Sequence, residues 1–547
     1  MSIASLDEIG GVPSNPTDLP FISIGELLRF QAAKYHDKPL LRFEDDPPLS
    51  YREFDRLVNR LANGLRERLG IQAGDHLCVM LPNCPEYLLI WVALSRLGCV
   101  CVAVNTDFRG VALQRILGES SARVIFTSAE LATALTEIGT SRSKVEHVIW
   151  LDPDVAVDAR PFAAARHHDY SSLISDNDAE PDQAGRYSDP CLHIYTSGTT
   201  GASKAVEMSQ FYAVHLAGEY HYHLGYSEDD VLYSGYPMYH AETPICVFLG
   251  AVYSGASAVI SRKFSVSRFW PTVRDRGVTA TTLMGAVMTL LLKAPDAVDD
   301  ASNPLRVVLA APTPQGAPEF ERRFGVTVLE GYGATECCMP VWDRAEEGHR
   351  PGSAGRPCEH HELVILDEND HELPANRLGE IAVRPRRPYT QMSSYYGNDA
   401  ATVAATTNFW YHTGDLGLID DDGFVHFKGR RTDSLRRRGE NISAFEVEES
   451  LQVHPDVLEA AVFGVPSDLS EDDVKAVVVL RAGATLTAAD LLRWCEKRMA
   501  RFMIPRYLEF AEELPKSVTQ KVQKAHLASS WKTERTFDSE RGAYLAT

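Results

Sequence analysis

Residues 194–209 read IYTSGTTGASKAVEMS, directly after the apolar start of CLHIY at 191–195. Two glycines, a run of hydroxyls and one lysine are the makings of a loop that cradles phosphate. Glycines let backbone N–H groups turn inward toward phosphate oxygens. Thr196, Ser197, Thr199 and Thr200 add hydroxyl donors and Lys204 adds a charge. The Walker pattern G-x-x-x-x-G-K-[ST] is the first test. Counted from Gly198, Ser203 stands where the second glycine belongs, and Ala205 where a magnesium-binding hydroxyl belongs. Two of four fixed positions fail, so this is not a Walker loop. A plain surface turn needs a glycine and at most one serine, not T-S-G-T-T-G.

The surrounding pattern sets the fold. Residues 50–69 carry apolar residues at helical spacing, with Ser50 and Glu53 as a capping box. HLCVML (76–81) reads as a buried strand, 85–98 as a helix with Pro85 near its start, and CVCVAV (99–104) as the next strand. The alternation continues through 113–121, 122–128, 130–138 and 145–152. Strands alternating with helices imply a parallel sheet covered on both faces. A loop at the carboxyl end of such a strand is where these folds bind ligands. The polar stretch 158–190 reads as a surface excursion. The section 211–323 is again mixed α/β, and beyond residue 352 short alternating segments predict a small β-rich subdomain. Five arginines between 430 and 438 mark a charged, glycine-flanked boundary near 430–434. An independent α/β pattern follows, including a helix capped by Thr487.

At 547 residues the chain needs more than one core. Apolar and charged fractions of 44% and 24% are those of a globular protein. A formal charge of −21 argues against non-specific nucleic-acid binding and against an anionic membrane surface. Ten cysteines without a C-x-x-C pair, most in apolar runs, predict reduced thiols packed as small hydrophobes, hence a cytoplasmic protein. No targeting segment or membrane span is expected.

Four further stretches carry chemistry, each beside a plainer alternative. VLEGYGATECC holds Gly331, Tyr332, Gly333, Thr335 and Glu336. Glycines flanking an aromatic would expose its face for a base, and Thr-Glu offers a phosphate hydroxyl and a hard oxygen for magnesium. The alternative is a strand, a tight turn and a helix-starting Glu. Asp415, after Thr413 and Gly414, suits two ribose hydroxyls, with Arg430 as a second contact; DDDG at 420–423 reads as a hairpin turn. The terminal lysines 516, 521 and 524 read as a solvated face, or as one lysine delivered to a reacting phosphate. His240 reads as a satisfied core histidine, or as a functional one.

Taken in order, these stretches resemble the adenylate-forming superfamily of acyl-CoA synthetases, peptide-synthetase adenylation domains and luciferases, over about residues 25–530. The phosphate loop Y-T-S-G-T-T-G-x-P-K-G is matched at 195–205 with Ser203 for Pro and Ala205 for Gly. Y-G-x-T-E is matched at 332–336, T-G-D at 413–415 and G-R-x-x-D at 429–433. The terminal lysine box is matched at 515–521, with Gln520 for Gly. RRRGENIS, GAVMTLLLKAP, NPLRVVLAAP and TQKVQK are most similar to the carnitine/crotonobetaine-CoA ligase-like group.

The resemblance implies an α/β fold: a large N-terminal part (1–431) of two α/β subdomains plus a small β-barrel-like subdomain, and a small mobile α/β C-terminal domain (432–547). It implies an ATP-dependent, AMP-forming acyl-CoA ligase using Mg2+ and CoA on a small-molecule carboxylic acid. No nucleic-acid or membrane partner is implied, and a homodimer is compatible. Thr196, Ser197, Gly198, Thr199, Thr200, Gly201 and Lys204 would embrace the β- and γ-phosphates. Tyr332 would stack on adenine between Gly331 and Gly333, with Ala311 and Pro312 opposite. Thr335 would touch the α-phosphate, Glu336 would hold magnesium, and Asp415 and Arg430 would fix the ribose. Lys521 would bridge the carboxylate and α-phosphate, and Gly439 and Asn441 belong to the loop that replaces it when the C-terminal domain rotates. His240 stands at the acyl gate. Glu242 would pair with a cationic acyl group or serve as a structural acid, and Cys337 and Cys338 would line or back the acyl pocket. Thr432 and Gln520 depart from the hinge and lysine boxes. Two rival readings remain at this point, a ligase loading a carrier protein's phosphopantetheine and a non-catalytic nucleotide or acyl-adenylate sensor.

Overall fold

The computed structural model describes residues 5–545 apart from 139–143, 153–160, 163, 182–184, 197–202, 293, 312, 314–315, 345–349, 351, 431–433, 438–439, 468–470, 516–521 and 523. Two large sheets form the N-terminal part. The first has nine strands, with Pro39–Phe43, Val231–Ser234, Ser257–Ile260, Ala280–Leu283, Val307–Ala310 and Thr327–Ala334 running parallel. Short antiparallel strands close its edges. The second has eight strands, built on His76–Val79, Val100–Ala103, Val124–Thr127, His147–Trp150 and Pro190–Thr196 in parallel. Strands such as Val100–Ala103 and Val124–Thr127 are buried at every position, as a sheet covered on both faces requires.

The helix Tyr51–Leu69 begins at the Ser50–Glu53 capping box and ends at Gly70, whose φ of 62° lets the chain turn left-handed. Phe54, Val58, Leu61, Leu65 and Leu69 make its buried face. Pro85 opens the helix Pro85–Arg96 as expected. One hydrophobic cluster draws on both sheets and on these helices, with Tyr51, Trp91, Phe211 and Phe248 among its largest members. The polar excursion is not wholly external. Arg166–Asp169 adds a half-exposed edge strand to the second sheet, which the strand's polar sequence concealed. All ten cysteines are free and buried.

The β-rich subdomain is a four-stranded antiparallel sheet of His361–Leu366, Gly379–Pro385, Tyr411–Ile419 and Val425–Arg430, in linear order. Gly423 N–H donates to the Asp420 carbonyl at 2.9 Å, closing the DDDG turn. The C-terminal domain comprises the hairpin Ser434–Arg437/Glu440–Ser443, the helices Ala444–Gln452 and Ala488–Glu496, the latter capped by Thr487, and a five-stranded sheet. Its Leu435, Ile442 and Met503 share one hydrophobic cluster with Met80, Val102 and Phe108 of the N-terminal part. No helix among the described residues is long and apolar enough to cross a membrane.

Candidate active site

Pro190–Thr196 and Lys204–Ser209 pair antiparallel, with Thr196 opposite Lys204. The phosphate-type loop is therefore the tip of a hairpin at the carboxyl end of a buried strand. Ser197, Gly198, Thr199, Thr200 and Gly201 lie outside the described residues. The two ends of the loop are fixed by neighbours. The Thr196 hydroxyl donates to Glu336 Oε1 at 2.8 Å, and the Tyr395 hydroxyl donates to the same oxygen at 3.1 Å. The Lys204 ammonium sits 4.6 Å above the Tyr395 ring, a cation–π contact that keeps it at the loop mouth. Tyr395 is in place because Ser394–Tyr395 extends the sheet alongside Lys204–Ser209.

Thr335 and Glu336 occupy the turn between Thr327–Ala334 and the antiparallel strand Cys338–Trp342. Glu336 starts no helix. The turn is tight: Cys337 N–H donates to the Ala334 carbonyl at 3.1 Å, and Cys338 takes a φ of 63°. Buried Tyr212 pins it, its hydroxyl donating to the Thr335 carbonyl at 3.0 Å and accepting from Cys338 N–H at 3.1 Å. The glycines serve this close approach. A Cβ on Gly333 would lie 2.2 Å from the Cys338 carbonyl oxygen, and one on Gly331 would lie 2.6 Å from Met339 Cε. They do not bare the Tyr332 ring, which is 8% exposed and stacks on Phe427 at 5.9 Å. Gly333→Ala is expected to cost about 2–3 kcal/mol of stability and to lower adenylation by displacing Glu336. A thermal scan beside a pyrophosphate-release assay checks both.

The Tyr332 hydroxyl donates to Asp415 Oδ2 at 2.8 Å, joining the Y-G-x-T-E and T-G-D boxes. Asp415 is 4% exposed. Its turn is braced by the Thr413 hydroxyl, which donates to the Ile381 carbonyl at 2.7 Å and accepts from Asp415 N–H at 3.1 Å. Gly414, with φ of 72°, makes the turn possible. Arg430 is the register partner of Asp415 on the adjacent strand. Ala311 follows the strand Val307–Ala310, whose last residue pairs with Glu330, so it reaches the level of Gly331.

Among the described residues, two carboxylates of the C-terminal domain bond to this site. Glu440 lies with both carboxylate oxygens within 3.0 Å of His240 Nε2. Burial alone would lower the His240 pKa; the Glu440 carboxylate outweighs it, with Glu242 adding and Arg436 opposing, and the net shift is upward. Glu446 Oε1 accepts from both Ser203 N–H, at 2.6 Å, and the Ser203 hydroxyl. A proline at 203 would supply neither donor. Between the two contacts lies a cavity of about 100 Å³ lined by Asn105, Tyr195, His240, Glu440, Glu446 and Met503, among others. Neither Cys337 nor Cys338 lines it; both are buried in the main core. Glu242, two residues past His240, is half-buried. Burial raises its pKa to about 7 against the Ser234 and Thr243 hydroxyls, which donate to its Oε2 at 2.7 and 3.0 Å.

Pro312, Gly439, Thr432, Gln520 and Lys521 fall outside the described residues, and of Arg430 and Asn441 only the backbone is described. The structure brings together Thr196, Lys204, Gly331, Tyr332, Gly333, Thr335, Glu336 and Asp415. Sequence reasoning missed Tyr212, Tyr395, Glu440 and Glu446. Each acts across a gap of at least 123, 59, 200 and 243 residues respectively, and none has a local signature.

Residues 28–396 match the family model for the AMP-binding enzyme, and 446–521 match that for the AMP-binding enzyme C-terminal domain. The chain belongs to the AMP-binding enzyme family. It is 32% identical over 508 residues to a crotonobetaine/carnitine–CoA ligase of Salmonella arizonae, covering 91% of this chain and 97% of that one. Its fold superimposes on a double mutant of o-succinylbenzoate CoA synthetase (MenE) from Bacillus subtilis bound to the product analogue OSB-NCoA, at TM-score 0.79 and 25% identity, covering 94% and 99% of the two chains. Against MenE in complex with AMP the TM-score is 0.64, again at 25% identity, covering 93% and 98%.

Proposed function

We propose that this chain is an ATP-dependent acyl-CoA ligase that works in two half-reactions in one site. The observation that carries it is the convergence of Thr196, Lys204, Tyr332, Glu336 and Asp415 at the hairpin mouth, with the C-terminal domain's Glu440 and Glu446 closing over it. In the first half, an acid's carboxylate oxygen attacks the α-phosphorus of ATP, the bond to pyrophosphate breaks, and an acyl-adenylate forms. In the second, the thiol of CoA loses its proton and attacks the acyl carbon, and the bond to AMP breaks. Both partners of the first step are anions, so neutralising and positioning charge does most of the work.

Lys204 and the loop hydroxyls hold the departing pyrophosphate, and Tyr332 and Asp415 hold the adenosine. Glu336 fits a magnesium site. Its Oε1 is fixed by two hydroxyls, while its Oε2 accepts no hydrogen bond among the described residues. One carboxylate plus substrate phosphates is the usual Mg2+ arrangement, and the ion would offset charge on the phosphates. Lys521 serves the first half-reaction and the hairpin bearing Gly439, Glu440 and Asn441 the second, so the domain beyond a boundary at 431/432 exchanges them by rotation. The arrangement with Glu440 against His240 is the thioester-forming one. The higher TM-score to the MenE complex holding a CoA product analogue than to its AMP complex supports this reading. The 100 Å³ cavity then takes the pantetheine arm.

With its raised pKa, His240 gates this cavity as a cation more readily than it serves as a base for the thiol. The His240–Glu440 attraction is fully present below the ordinary histidine value of 6.5 and is lost as pH rises through the raised one. Domain docking, followed by fluorescence transfer between dyes on the two domains, should loosen with rising pH in the wild type and lose that dependence in His240→Gln. An unchanged profile in the variant would refute the assignment.

For the substrate we propose a carboxylic acid carrying a cationic group of the betaine type, as in the relatives named above, with Glu242 as its counter-ion. A pyrophosphate-release panel of a carnitine-like acid, short fatty acids and aryl acids tests the class. Glu242→Gln should raise KM at least tenfold for the cationic acid and leave a neutral acid unchanged. Equal effects on both would make Glu242 a structural acid. Supplying CoA or a phosphopantetheinylated carrier protein to the adenylate separates ligase from carrier-loading enzyme. A panel without any pyrophosphate release would favour the sensor.

A further inference from the structure

Away from the nucleotide site, the helix Gln210–Leu224 carries His215, Glu219 and His223 at intervals of four, on one face. His215 and Glu219 are 0% exposed. His360, 3% exposed, approaches from the turn before the strand His361–Leu366. His215 Nε2 lies 3.0 Å and His360 Nδ1 2.5 Å from the same oxygen, Glu219 Oε1. These three atoms all lie within 4.8 Å of one another, yet none of them makes a hydrogen bond of sound geometry within the protein. Two of the three remaining atoms are taken, and the third, the buried His215 Nδ1, has no hydrogen-bond partner among the described residues. His223 Nε2 is within hydrogen-bond distance of Glu219 Oε2 at 3.1 Å, and the Thr17 hydroxyl is 2.6 Å from His360 Nε2.

A carboxylate so deeply buried requires positive charge beside it. Among the described residues, the only basic side chains paired with Glu219 within 4.0 Å are histidines. A node of simple hydrogen bonds would aim its N–H groups along the carboxylate lone pairs. Here two imidazole nitrogens and a carboxylate oxygen instead converge with poor alignment, as ligands do around a common centre. Two of the three ligands have outer partners of the kind a ligand set has: the Thr17 hydroxyl engages His360 Nε2, and His223 engages the second oxygen of Glu219. Paired ligands four residues apart on one helix recur in zinc sites.

We propose that His215 Nε2, Glu219 Oε1 and His360 Nδ1 bind a divalent transition-metal cation of the zinc type. Two nitrogens and one oxygen favour Zn2+ over Mg2+ or Ca2+, which take all-oxygen sets. Bonds of about 2.0–2.1 Å to each ligand require the three to spread by less than about 1 Å. The ion ties the segment containing Thr17, the helix Gln210–Leu224 and the turn at His360 into one unit. Tyr212 of that helix pins the Thr335–Glu336 turn, so the site supports the catalytic turn from behind. The inference does not rest on the proposed function; a chain inert to every acid would still bind the metal.

The test uses the full chain, stripped with chelator and free of nucleotide. Titration with Co2+ should give one saturable site with the visible bands of four- or five-coordination, displaced by Zn2+, and Zn2+ should raise Tm. Glu336→Gln should retain the site, whereas Glu219→Gln and His360→Ala should weaken it at least tenfold. Crystals of the wild type in zinc should show an anomalous-difference peak between the three ligand atoms, which decides the matter even where a variant fails to fold. No saturable site in the wild type, no peak there, or equal binding in folded variants would overturn the proposal.

Discussion

Lys521→Ala is expected to slow adenylation by roughly 10²- to 10³-fold, the loss typical of removing one donor aimed at transition-state charge. The ammonium is assigned to the first half-reaction alone, where a carboxylate approaches a polyphosphate. Pyrophosphate release should therefore collapse, while thioester formation from chemically prepared acyl-AMP proceeds near the wild-type rate. In the arrangement described, the carboxylates of Glu440 and Glu446 are groups that the C-terminal domain brings to the site. A variant slowed equally in both halves would mean that Lys521 stabilises the domain rather than the reaction. Wild-type adenylation would remove the lysine from the mechanism.

Glu336→Gln should cost about 10²-fold in adenylation kcat/KM. The amide oxygen still accepts from Thr196 and Tyr395, so the turn should hold its shape. What disappears is the negative charge that fits a hard cation beside the phosphates. The deficit should shrink as Mg2+ concentration rises, and Tm should move little. A large fall in Tm with no response to Mg2+ would recast Glu336 as a hydrogen-bond acceptor for the two hydroxyls.

Local chemistry was legible in the sequence wherever one short segment supplies both partners. The Ser50–Glu53 box, Pro85 and the Thr487 cap each act within a single turn, and all stand where expected. The strand–loop placement of Thr196 and Lys204 was likewise readable, because the hairpin closes on itself. Gly331 and Gly333 were noticed for a reason that does not hold. A glycine pair signals lack of space as readily as an exposed ring, and only the packed hairpin shows which. Tyr395, Glu440 and Glu446 left no local trace because their partners are distant in the chain. The His215–Glu219–His360 cluster was not read from the sequence: its first two members are four residues apart, but the third comes from 141 positions beyond Glu219.

The central claim is that a carboxylate oxygen becomes part of AMP. An acid that releases pyrophosphate, labelled with ¹⁸O in its carboxylate, is turned over with ATP, Mg2+ and CoA, and the nucleotide product is analysed by mass spectrometry. The expected products are AMP carrying one ¹⁸O atom, acyl-CoA keeping the other in its carbonyl, and unlabelled pyrophosphate. Label in inorganic phosphate, with ADP as the nucleotide product, would contradict it.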